Sequence, residues 1–99
     1  MTARYRWTDA DVARRAAEHL AAQCARRSAR HDYEEACIRF KDRRGIEHVD
    51  VADAAFRRST KKTYLAYQRA RQLERNAARR LETAIRGSQA FAEVLRAAR

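Results

Sequence analysis

Proline is absent from the chain and glycine occurs twice, at Gly45 and Gly87. A chain so poor in glycine and in long loops offers little from which to build oxyanion donors around a nucleophile, and no catalytic motif is present, so an enzyme is not expected. Two cysteines in 99 residues make no disulfide framework, and a reducing cytoplasm suits them best. No apolar run reaches the roughly 18 residues that a membrane span requires. The N-terminal stretch MTARYRWTDAD carries charge but no apolar core, so no secretory signal is expected. Large apolar side chains are scarce as well: Leu, Ile, Val and Phe number fifteen, and Trp and Tyr add five. With a net charge of +10, that scarcity approaches the composition of a disordered chain.

What is present argues for order. Twenty-two alanines supply the best helix former, and the apolar residues recur at helical spacing. A helical chain with so few large side chains must let its helices approach over Ala or borrow apolar surface from a second copy, so self-association is expected. Arg outnumbers Lys twenty to three. A GC-rich genome would produce that ratio, and so would a need for guanidinium, which binds phosphate bidentately and stacks on bases.

The stretch from Asp50 to Arg86 dominates the pattern. On a helix, Phe56, Thr60, Thr63, Tyr67, Ala70, Leu73, Ala77, Leu81, Ala84 and Ile85 fall on one side. Arg57, Arg58, Lys61, Lys62, Arg69, Arg71, Arg75, Arg79, Arg80 and Arg86 fall on the other. Between residues 57 and 86 these ten basic residues are offset only by Glu74 and Glu82, a surplus of eight within a chain of +10.

Local signals mark the element boundaries. Residues 1–7 form a basic, aromatic lead-in with Arg4, Tyr5, Arg6 and Trp7. Thr8 and Asp11 have the spacing of a capping box, Trp7 and Val12 that of a hydrophobic staple, and the first helix is predicted over about 8–44. Its apolar residues form two stripes, Val12, Ala13, Ala16, Ala17, Leu20 and Cys24, then Ala29, Tyr33, Ala36, Cys37 and Phe40, rotated by more than half a turn. Either the helix runs on and is covered on different sides, or it breaks near 27–32 with Asp32 and Glu35 forming a second capping box. Helix propensity favours continuity. Gly45 is a strong stop, IEHV a short connector, and Asp50 with Asp53 at N3 caps a second helix over about 50–86. Ser88 caps a last helix over about 88–98 that carries Phe91, Val94 and Leu95. The expected fold is all-α, a single domain built as a long antiparallel helical hairpin with a short C-terminal helix, self-associating as a bundle or coiled coil.

Function is read from the basic face. Arg and Lys recurring every three or four residues can neutralise several phosphates of DNA or RNA at once, and Tyr64 at the edge of the face could stack on a base. An acidic protein surface or plain solvation would also accept such a face, but acid rarely precedes base by four residues here, which favours an anionic partner. The expected site residues are therefore Arg57, Arg58, Lys61, Lys62, Tyr64, Arg69, Arg71, Arg75, Arg79, Arg80 and Arg86. The alternative is a structural, adaptor or inhibitor protein, such as a phage- or plasmid-type assembly component, acting through helix–helix contacts. Glu74, on the apolar side, reads as a polar residue that sets register. His31 and Glu35 have helical metal-pair spacing, but no CxxC, HExxH or ExxH pattern occurs, and neither a metal nor a cofactor is expected. Cys24 and Cys37 read as small buried residues. The Ala/Thr-rich apolar face suits helix packing better than a membrane surface. The stretch RRGIEHVDVADAAFRR is similar to the last loop and short helix of a histone fold. The helix before it and the chain after it are too long for that fold, and no residue role is carried over.

Overall fold

The computed structural model describes residues 5–99, so Arg4 and the rest of the lead-in before Tyr5 lie outside it. It is all-α: α1 (Asp9–Arg44) and α2 (Ala54–Arg86) are long and pack against each other, and α3 (Gln89–Ala97) is short. The caps fix the ends. Thr8 N donates to Asp11 Oδ2 at 3.0 Å and Asp11 N to Thr8 Oγ1 at 3.1 Å, a reciprocal box that starts α1. These bonds, the backbone one first and the Thr8 hydroxyl next, hold the Asp11 carboxyl below its ordinary range. Gly45 ends α1 at φ 63°, with Ile46 N bonded to Lys41 O and Gly45 N to Asp42 O, the paired bonds of a Schellman turn. Ser88 caps α3 by accepting from Phe91 N.

Two expectations are corrected. Asp50 does not cap α2. It closes a turn, accepting from Ala52 N on its side chain and from Asp53 N on its carbonyl, and Asp53 caps the helix by accepting from Phe56 N at 3.4 Å. Both aspartates suit a cap, and the turn leaves the role to the second. On α1, the stripe Val12–Ala13–Ala16–Ala17–Leu20–Cys24 is not the buried face beyond its first residue: Val12 is half-buried, but Ala13, Ala16, Ala17 and Cys24 are exposed and Leu20 is 58% exposed. The helix runs unbroken, and its covered face continues straight back from Phe40 through Ala36, Tyr33, Ala29, Arg26, Ala22 and Glu18 to Arg15. Long polar side chains occupy the places the apolar stripe was expected to fill.

The chain divides into two compact units. One, Cys24–Gln72, holds the connector and the flanking parts of α1 and α2, which run antiparallel. Its buried residues are Ala36, Phe40, Phe56, Thr60 and Ala70. Phe40 and Phe56 meet edge to face at 5.3 Å, and Arg43 Nη2 donates to Ser59 Oγ at 2.7 Å. Burying each Phe contributes about 1.5–3 kcal/mol. The other unit, Met1–Gln23 with Leu73–Arg99, buries Ala77, Ala84 and Ser88. There Trp7 forms an isolated parallel β-bridge with Ser88 and sets its indole against Gly87, where a Cβ would fall 2.5 Å from Trp7 Cδ1. Arg15 lies over the same indole at 5.8 Å from its centroid while its Nη1 pairs with Glu18 at 3.0 Å. A guanidinium on a half-covered helix face is tolerable when it lies over an aromatic ring.

Candidate functional site

All eleven expected site residues are exposed on α2. They differ in what else they do. In the connector unit, Arg57 Nε donates to the Val51 carbonyl at 2.9 Å, tying that guanidinium to the turn before the helix. Arg71 lies 5.5 Å from the Tyr67 ring centroid. Arg58, Lys61, Lys62 and Arg69 have no ion pair or hydrogen bond among the described residues. In the other unit, Arg79 donates to Asn76 Oδ1 at 2.8 Å, Arg86 pairs with Glu82 at 2.7 Å, and Arg75 is also engaged. Arg80 has no such partner. The densest uncommitted positive charge thus lies in the connector unit, near the start of α2.

Arg58, Lys62 and Arg69 share one line along the helix, since steps of four and seven residues return to nearly the same direction. At 1.5 Å rise per residue the successive gaps are about 6 and about 10 Å. No carboxylate stands between them in sequence.

Tyr64 is less available than expected. Its ring packs on Tyr33 at 5.3 Å with the planes tilted by 53°, its hydroxyl accepts from Gln68 Nε2 at 2.7 Å, and it is 42% exposed. Tyr33 also stacks on Tyr67 at 6.2 Å and 17°. Burial, then a hydrogen bond with Cys37, raises the Tyr33 phenol above its ordinary pKa. Cys37 is half-buried, as its small size allows, whereas Cys24 is exposed and not the core residue expected.

A cleft that the sequence pattern does not reveal lies beside this aromatic cluster. It has a volume of about 620 Å³ and is lined by Tyr33, Val51, Phe56, Thr60, Tyr64 and Leu65, with Arg57, Arg58 and Lys61 at its edge. Phe56 and Thr60 are buried, while Val51 and Leu65 are 68% and 52% exposed. Leu65 was the available signal: it lies among Arg58, Lys61 and Arg69 on the charged side of α2, where a solvated face has no need of it.

No group of three His, Cys, Asp or Glu side chains gathers at metal-binding distance among the described residues. His31 and Glu35 lie 4.0 Å apart as an exposed pair. Glu74 is half-buried and engaged. No helix among the described residues is long and apolar enough to cross a membrane. No protein-family model, curated protein or solved structure matches the chain.

Proposed function

We propose that this is a non-catalytic protein that binds the phosphate backbone of DNA or RNA through the exposed cations of α2. The observation that supports this most directly is the row Arg58, Lys62 and Arg69, three exposed cations along one line of a helix, each with no ion pair or hydrogen bond among the described residues. Internal ion pairs would lower the charge a ligand meets, and these three cations have none among the described residues. Backbone contacts position a nucleic acid without reading its sequence, so binding is expected to show weak sequence preference and steep salt dependence. Two free cysteines suit a reducing compartment, and a cytoplasmic site of action belongs to the same reading.

The test is binding to a mixed-sequence duplex and to a single strand across a salt series. Each phosphate contact contributes about 0.9 to the log–log salt slope on duplex. Lys62→Ala with Arg69→Ala is expected to reduce the slope by about 2 and to weaken binding at every sequence alike. No binding at low salt, or a slope and affinity unchanged in the double variant, would refute the assignment.

A further inference from the structure

The cleft of the connector unit has a counterpart on the outside of α1 in the same unit. Ile38 is 46% exposed there. Four residues before it stands Glu34, and four after it Asp42, both exposed. Residues spaced by four form a continuous ridge on a helix surface, so Glu34–Ile38–Asp42 is a ridge with an apolar centre and acidic ends. Glu35 lies beside it, half-exposed. Among the described residues Glu34 holds only an exposed pair with Arg30, at 2.8 Å, of the kind that contributes little and exchanges readily.

The cleft has the opposite character and the same periodicity. Phe56, Thr60 and Tyr64 make one ridge of α2 at steps of four, and Arg57, Lys61 and Leu65 make the next. Packing a four-step ridge of one helix into the groove between two four-step ridges of another is the commonest helix–helix geometry in globular proteins, with axes crossing at about 50°. A ridge seated in this groove would place its apolar centre against Tyr64 and Leu65. One acidic end would then meet Lys61, a turn before Leu65, with Arg58 almost a turn further along the same helix, and neither cation has a partner of its own among the described residues.

We infer that the cleft receives the Glu34–Ile38–Asp42 ridge of a second copy of this chain. Each copy carries one ridge and one cleft, so a two-fold pair satisfies both contacts and closes. The contact covers apolar surface that a domain with so small a core leaves in water. It opposes carboxylates to cations, which offsets the repulsion between two chains of +10. This inference does not depend on nucleic-acid binding, and Lys62 and Arg69 lie outside the cleft lining.

Sedimentation equilibrium on the full chain, without nucleic acid, tests it. The mass is expected to rise with concentration from 11.5 kDa toward twice that value. Lys61→Glu is expected to raise the dissociation constant at least about tenfold, and so is Glu34→Lys combined with Asp42→Lys. All three side chains are exposed, so helix content by circular dichroism should match the parent. Mixing the two variants places acid against base at both contacts, and the mixture is expected to regain the parent's association. A monomer at every concentration in low salt would overturn the inference. So would association that Ile38→Glu leaves unchanged, or variants that do not complement when mixed. Those outcomes would leave the cleft to an acidic peptide or a small amphiphilic anion.

Discussion

The rings of Phe40 and Phe56 meet edge to face, centroids 5.3 Å apart and planes 76° apart, and are 3% and 4% exposed. Arg44 covers the outer side of the pair, its guanidinium 5.1 Å from the Phe40 centroid. Among the described residues the other buried apolar residues are all alanines, so this pair supplies the large buried side chains of its unit. Phe56→Ala is expected to cost about 3–5 kcal/mol, read as a lower urea midpoint. A double-mutant cycle with Phe40→Ala should return a coupling of about 0.5–1.5 kcal/mol, the edge-to-face contribution beyond area alone. A cost under about 1 kcal/mol for Phe56→Ala would mean that these rings are not the core.

Gly87 is required by a neighbour rather than by its own backbone. A Cβ there would lie 2.5 Å from Trp7 Cδ1 and 3.3 Å from Trp7 Nε1. The indole is a broad, stiff group and must move bodily. Gly87→Ala is therefore expected to displace Trp7 and expose it, although alanine by itself favours helix. Trp7 is the only tryptophan, so its fluorescence reports this event without a label. A red shift in emission with unchanged helicity is the expected result, and an unshifted spectrum would contradict the contact.

Asp11 and Tyr33 make the two ends of the pH range differ. The carboxyl of Asp11 is held below its ordinary value of 3.8, chiefly by the Thr8 backbone N–H and then by the Thr8 hydroxyl. A lowered carboxyl contributes stability that is fully present above that value and is lost as pH falls through the lower, folded one. The first turn of α1 is thus expected to fray in acid, with amide exchange near Asp11 accelerating below about pH 4. In Thr8→Ala the first turn should fray already at neutral pH, and exchange there should depend less on pH. The phenol of Tyr33 is shifted the other way, by burial first. Its contribution is present below about pH 10 and is lost as pH rises through the raised value. Absorbance titration should show a phenol ionising above its ordinary range, and Tyr33→Phe should remove that component.

Much of the helical layout was legible because ends are written locally. Thr8 with Asp11, Gly45 and Ser88 each mark a terminus through a hydrogen bond to a neighbour within five residues, and each is found in that role. The start of α2 was ambiguous for the same reason: Asp50 and Asp53 are both good caps, and only the turn between them decides. The covered face of α1 was harder to read. Hydrophobicity points to Ala13, Ala17 and Leu20, whereas the straight 3.6-residue face runs through Arg15, Glu18 and Arg26, where Arg15 Nη1 pairs with Glu18 and Arg26 is engaged, although Arg15 Nε is buried with no hydrogen-bond partner among the described residues. Among the site residues, the exposure of the cations followed from the helix wheel. Their division into committed and uncommitted groups did not, since it depends on where Val51, Asn76 and Glu82 place their oxygens. The cleft could have been suspected from Leu65, but its far wall, Tyr33, is supplied by another helix.

The Gly45 turn also bears on how the connector unit forms. Arg43 with Ser59 and Phe40 with Phe56, each pair 16 positions apart, are joined across it, and the Tyr33 contacts with Tyr64 and Tyr67 stand at a greater chain separation. The entropy lost in closing a loop grows with its length, so the contact nearest the turn is the least costly to make from the open chain. Each contact made there shortens the loop that the next must close. The connector unit is therefore wired to zip from Gly45 outward, through predominantly local contacts, the order that favours rapid folding.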